Sequence, residues 1–188
     1  MDMPAAPLLV LGSPHKNGPT RSLARAFLQR EGLAQADCRL FDAYDAQPRP
    51  CIDCGWCKIH PGCALPDLQE FYRDFEAARL VILAAPVYNA GLPAPLKALT
   101  DRMQTYFNAR FSRGLRPPIP TPKRAVLLLT AGSGRDYRPL LLEQLAPMFT
   151  VTNCKLHGAA CLSDLDRRPA DEKRLAAALE EVPPLLSD

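Results

Sequence analysis

Four of the seven cysteines fall within thirteen residues, as Cys51-Ile52-Asp53-Cys54-Gly55-Trp56-Cys57 followed by Cys63. The run reads C-x2-C-x2-C-x5-C. Thiolates are soft ligands, and two-residue gaps let successive sulfurs reach adjacent corners of one cubane cluster. A related run, C-x2-C-x2-C-x3-C-P, ligates iron in bacterial ferredoxins. Gly55 and Gly62 relieve the backbone of so tight a wrap. A 4Fe–4S cluster on Cys51, Cys54, Cys57 and Cys63 is the leading expectation. Zinc is a rival, although four-cysteine zinc sites usually come as two separated pairs. A disulfide pair and four free thiols beside Pro50 and Pro61 are the other readings. Cys38, Cys154 and Cys161 belong to no run and read as buried small hydrophobes.

A second segment with chemical content is Gly12-Ser13-Pro14-His15-Lys16-Asn17-Gly18-Pro19-Thr20-Arg21-Ser22. It joins an apolar run to a helical pattern. Backbone N–H groups at a helix start point outward unpaired, and the helix dipole adds positive potential there. Ser13, Asn17, Thr20 and Ser22 add short polar side chains, and His15 and Lys16 add positive or potentially positive charge. That suits one phosphate. It is neither a GxGxxG turn nor a GxxxxGK[ST] loop. The plain alternative is an ordinary strand–helix connection with Thr20 as the cap.

A third segment is Pro86-Val87-Tyr88-Asn89-Ala90-Gly91. A flavin ring needs a flat wall, donors at its polar edge and one open face. Tyr88 offers area and a hydroxyl, and Asn89 can both donate and accept. Core packing by Val87 and Tyr88, with Asn89 as a turn former, is the alternative. A fourth is Thr130-Ala131-Gly132-Ser133-Gly134-Arg135, whose small residues would let backbone approach a ring closely.

The elements that carry these segments alternate. Residues 7–12, 38–41, 80–85, 124–130 and 152–162 read as strands; 20–29, 67–78, 92–104, 138–148 and 171–182 read as helices. Asp67 with Glu70 three residues on matches a capping box for the second of these helices. Residues 47–65 and the basic, proline-rich stretch 107–122 break the pattern. Alternating strands and helices imply an α/β, three-layer fold: a doubly wound five-stranded parallel sheet of flavodoxin-like order 2-1-3-4-5. Its ligand crevice lies beyond the carboxyl ends of the strands, where the order reverses. The segments after the first, third and fourth strands should therefore meet. The 188 residues fit one domain, with 47–65 as a cysteine-rich insertion.

Composition limits the alternatives. The chain is 47% hydrophobic and 23% charged, within the globular range. A net charge of +3 gives no case for nucleic acid. The apolar runs 80–85 and 125–129 are too short to span a membrane, and residues 7–11 are too short for a signal core. A cytoplasmic protein is expected. The twenty prolines should sit mainly in loops. His60 and His157 stand in no constellation, and no G-x-S-x-G elbow is present.

Two stretches carry a family resemblance. Residues 12–20 are similar to the GSPRKNGNT-type turn of the NADPH-dependent FMN reductase and flavodoxin-like oxidoreductase family; His15 stands where arginine is common and Pro19 where asparagine is. Residues 86–102 resemble that family's PVYxGxxPxxLKxxxDR segment. The cysteine run resembles that of the family's iron–sulfur flavoprotein branch. The resemblance implies that Ser13, His15, Asn17, Gly18, Thr20 and Ser22 hold the phosphate of FMN. It places Pro86, Val87, Tyr88, Asn89 and Ala90 along the ring, with Ala131, Gly132 and Ser133 close to it. It implies an oxidoreductase with NAD(P)H as co-substrate, or with a redox protein such as ferredoxin as partner, assembled as a homodimer or homotetramer. No side chain need act as acid or base, because the flavin carries the chemistry. Lys97, Asp101 and Arg102 read as structural, with Lys97 and Asp101 spaced for a helical ion pair. A flavodoxin-like FMN electron carrier without nicotinamide oxidase activity is the alternative.

Overall fold

A computed structural model describes residues 6–185. Five parallel strands, β1 (Leu8–Leu11), β2 (Arg39–Asp42), β3 (Leu80–Pro86), β4 (Lys123–Thr130) and β5 (Cys154–Leu162), form one sheet in the order β2-β1-β3-β4-β5. The expected topology is therefore met, and the order reverses beside β1.

Successive strand residues point to opposite faces, and both faces are covered. Leu8, Val10, Leu83 and Leu127 pack with Phe71, Leu96 and Leu145; Leu9, Leu11, Ile82 and Leu128 pack with Leu23, Phe27 and Leu175. This two-sided burial is why β1, β3 and β4 read as continuous apolar runs. The helices are α1 (Pro19–Arg30), α2 (Ala43–Ala46), α3 (Trp56–Ile59), α4 (Gln69–Ala77), α5 (Ala94–Arg102), α6 (Gln104–Phe111), α7 (Arg138–Val151) and α8 (Glu172–Leu179). Phe27, fully buried on α1, contributes about 1.5–3 kcal/mol by leaving water.

Three expectations are corrected. The helix expected over 92–104 divides at Met103, and α6 takes up the first part of the stretch read as an excursion. Asp67 does not cap α4. Its N-cap is Leu68, without a side-chain bond, and the Asp67 carboxylate accepts instead from Arg49 N (2.9 Å) and from Arg102 Nη1 (3.0 Å). The helix expected over 138–148 runs on to Val151, and the strand expected from 152 begins at Cys154. The Lys97–Asp101 pair forms as expected, at 2.6 Å. Among the described residues, no helix is long and apolar enough to cross a membrane.

Candidate functional site

The first loop is held by short backbone turns. His15 N donates to Ser13 Oγ (3.3 Å) and Gly18 N to His15 O (3.1 Å). Gly18 is the N-cap of α1, with Pro19 at its first position, no side-chain cap and no acidic residue in the first turn. A Cβ on Gly18 would stand 2.8 Å from His15 Cβ, so glycine keeps this turn closed. The result is a helix start left open to an anion. His15 and Asn17 are exposed at its rim, and the Ser22 hydroxyl turns back to Gly18 O.

Thr20 is not the helix cap. Its hydroxyl is buried and lies 2.6 Å from that of Thr130, at the carboxyl end of β4. That bond ties the first loop to the fourth-strand loop. Lys16 is also committed. Its ammonium pairs with Asp42 (2.7 Å) and Asp45, and Arg21 pairs with Asp42 as well. The lysine therefore braces the first loop against the end of β2.

The loop after β3 is a tight reversal. Tyr88 and Gly91 exchange backbone hydrogen bonds of 3.0 and 2.9 Å, around Asn89 (φ 49°) and Ala90 (φ 59°). Two left-handed central residues define the two-residue hairpin turn. Asparagine tolerates that conformation; alanine does so at a cost, and such strain concentrates at functional sites. Val87 N donates to Thr130 O (2.8 Å), so sheet pairing continues past Pro86 and aims the turn. Tyr88 is 41% exposed and faces outward. Tyr44 of α2 stands near it: burial first, and the Tyr88 phenol second, push the Tyr44 hydroxyl above the usual tyrosine range. No sequence signal pointed to Tyr44.

The loop after β4 is laced to the one after β5. Leu165 N donates to Ala131 O (3.1 Å), Asp166 N to Gly132 O (3.1 Å) and Asp164 N to Ser133 O (2.7 Å). The Asp166 carboxylate packs over Gly132, 2.5 Å from where a Cβ would stand. Ser133 Oγ donates to the Tyr137 hydroxyl (3.3 Å). The three loops thus share one end of the sheet, at the strand-order switch.

The four cysteines converge separately. Cys51, Cys54, Cys57 and Cys63 line one small hollow, together with Trp56, Arg102, Gln104 and Thr105. Asp53 (φ 46°), Gly55 (φ 74°) and Gly62 (φ 74°) supply the left-handed turns that fold the run onto itself. Asn108 Nδ2 donates to Cys57 Sγ at 3.1 Å. Among the described residues no three His, Cys, Asp or Glu gather as ligands of one metal ion would. Cys38, Cys154 and Cys161 are half-buried, and burial raises each thiol, Cys154 to about 11. His60 stacks on Trp56 and His157 bonds Pro183 O, outside any constellation.

Two carboxylates set the acid limit of this end of the molecule. Burial alone would raise both; bonds from Lys16 and Arg21 to Asp42, and from Arg49 N and Arg102 to Asp67, outweigh it and hold both below the usual carboxylate range. A depressed folded pKa gives stability that is full above the unfolded value near 4 and is lost as pH falls through the folded value. Thermal melts should therefore show Tm falling as pH drops from about 4. The Asp42→Asn variant should show a flatter dependence; equal slopes would remove Asp42 from this role.

Similarity to known proteins points the same way. The chain is 33% identical over 94 residues to an iron–sulfur flavoprotein of Methanocaldococcus jannaschii, covering 50% of this chain and 49% of that one. It is 34% identical over 96 residues to an iron–sulfur flavoprotein of Methanosarcina thermophila, again covering 50% and 49%. It spans about half the length of the curated relatives it matches. Among solved structures, an NAD(P)H:quinone oxidoreductase from Methanothermobacter marburgensis shares its fold with a TM-score of 0.69 at 22% identity, over 93% of this chain and 90% of that one. The azoreductase AzrA does so at 0.64 and 18% identity, over 93% and 95%. With residues 7–163 matching the NADPH-dependent FMN reductase family from the first strand to the end of the fifth, the chain belongs to that family.

Proposed function

We propose that this chain is an FMN-dependent oxidoreductase carrying a 4Fe–4S cluster on Cys51, Cys54, Cys57 and Cys63. One observation carries the reading: the four thiols line one hollow, beside a family-typical crevice whose three loops meet at the strand-order switch. When bound, FMN would supply hydride and single-electron chemistry, and the cluster single-electron chemistry.

The chain's own groups divide the work. Gly18 and the open start of α1 receive the phosphate, with Ser13, His15, Asn17, Thr20 and Ser22 around it. Pro86, Val87, Tyr88, Asn89 and Ala90 offer the wall for the ring, opposite Ala131, Gly132 and Ser133. Helix α5 carries one end of each site: it follows the Tyr88 turn and ends at Arg102 on the thiol hollow. Its nine residues set those ends about 13 Å apart.

NAD(P)H or a reduced redox protein such as ferredoxin would donate electrons, and a small molecule or redox protein would accept them. The proposal is one flavodoxin-like domain with a cysteine-rich insertion at 47–65. Phe107 and Phe111, exposed on α6 with ring centroids 4.5 Å apart, support a homodimer or homotetramer.

The test is anaerobic purification followed by flavin, iron and sulfide analysis. Bound FMN with iron and sulfide is the expected result; a colourless protein holding zinc would overturn it. Steady-state NADPH oxidation separates the enzyme from a pure carrier. Thr20→Ala should weaken FMN binding by about 1 kcal/mol or more, because it removes a polar contact at the phosphate and leaves the Thr130 hydroxyl buried without its partner. Fluorescence-quench titration reads this, and unaltered affinity would take Thr20 out of the site.

A further inference from the structure

Helices outside the cysteine run reach the thiol hollow with two hydrogen-bond donors. Arg102, the last residue of α5, is 1% exposed and lines the hollow. Both of its terminal nitrogens have partners. Nη1 donates to Arg49 O (3.0 Å) and to Asp67 Oδ1 (3.0 Å), and Nη2 donates to Leu65 O (2.9 Å). Both ends of the insertion are thus fastened to one guanidinium. Its third nitrogen is different: Nε is buried and has no partner. A buried N–H left unpaired costs about 1–3 kcal/mol, more on a charged group. Nε of Arg21 and Arg113 are unpaired too, but neither side chain is so deeply buried and neither lines this hollow.

Asn108 of α6 is the second donor. It is 4% exposed, its amide N–H₂ donates to Cys57 Sγ, and its Oδ1 accepts from Ser112 Oγ (3.2 Å).

We propose that Arg102 Nε–H and Asn108 Nδ2–H are positioning donors to the sulfurs of the group held in the hollow, and that they set its reduction potential. The inference rests on the cluster reading above. Four thiolates around a 4Fe–4S core give a net negative unit, and reduction adds one electron and one further negative charge. A buried cation and an N–H donor at the sulfurs stabilise the reduced form more than the oxidised one, which raises the potential. The orphan Nε thus belongs to a side chain that lines the hollow and has no protein acceptor of its own.

The experiment is a mediated anaerobic redox titration of the reconstituted full chain, followed by electron paramagnetic resonance. Arg102→Lys keeps a cation for Asp67 and Leu65 O but lacks Nε–H. Asn108→Leu removes the amide and leaves Arg102 in place. Each variant should load iron and sulfide yet shift the reduced-to-oxidised ratio at fixed poise roughly tenfold toward oxidised, about 59 mV for one electron. Asp67→Asn breaks the ion pair without touching Nε and removes a nearby negative charge, so it should lower Tm and move the ratio, if at all, toward reduced, opposite to the other two variants.

Loaded Arg102→Lys and Asn108→Leu proteins with wild-type potentials would overturn the inference. So would an Asp67→Asn shift toward oxidised as large as theirs, because the effect would then be one of fastening the loop. If Arg102→Lys fails to fold, Asn108→Leu alone decides. A wild-type chain that binds FMN but takes up no iron or sulfide overturns the cluster reading, and this inference with it.

Discussion

Cys54→Ser is expected to abolish the broad visible absorbance of the cluster, together with bound iron and sulfide, while FMN content stays at the wild-type level. Cys54 sits between Asp53 and Gly55, both left-handed, so the backbone reverses on either side of this one sulfur. Asp53 is one of the few non-glycine types that take up that conformation readily. The thiol itself is exposed and has no hydrogen-bond role that serine would spoil, so the fold should change by no more than about 0.5 kcal/mol. The flavin loops follow β1, β3 and β4 and contain none of these cysteines. Loss of the visible band with FMN retained therefore separates the two sites. A variant spectrum identical to wild type would show that Cys54 ligates nothing, and loss of both chromophores would show that the insertion supports the flavin crevice.

What the sequence discloses here depends on how far apart the cooperating residues lie. The strand order was legible because β1, β3 and β4 are buried on both faces and read as unbroken apolar runs. The site loops were legible because that order fixes where they meet. Helix α6 was not, because its buried face is Thr105, Tyr106, Asn108 and Ala109, a set with little apolar contrast. Asp67 misled for another reason. The local D-x-x-E pattern is a sound capping signal, but Arg102, thirty-five residues away, competes for the carboxylate and wins. Lys16 is claimed by Asp42 and Asp45 in the same way. The cysteine spacing announced itself within thirteen residues, whereas Arg102 and Asn108 reach the hollow only through the packing of α5 and α6. Local chemistry is written in spacing; the side chains that tune it are set by tertiary contact.

Gly12→Val is expected to raise the FMN dissociation constant at least tenfold and to lower Tm by several degrees. Gly12 ends the first strand: its N–H donates to Ala84 O (2.8 Å), and the phosphate turn begins at the next residue. A Cβ there would lie 2.6 Å from Leu96 Cδ2 and 3.3 Å from Ala85 Cβ. Leu96 is fully buried and belongs to α5, the helix that begins just after the Tyr88 turn. The bare backbone at Gly12 therefore sets how closely the phosphate turn approaches the helix that carries the ring turn. A branched side chain must push α5 outward, at an overpacking cost of about 1–3 kcal/mol. The displacement opens the spacing between the two contacts FMN must make at once, and a tenfold loss of affinity corresponds to about 1.4 kcal/mol. Because the clash is with one named side chain, shortening that side chain should relieve it. Gly12→Ala combined with Leu96→Val should bind FMN more tightly than Gly12→Ala alone, a coupling that a double-mutant cycle measures directly. Wild-type affinity in Gly12→Val, or strict additivity in the cycle, would mean that the approach of β1 to α5 does not set the geometry of the crevice.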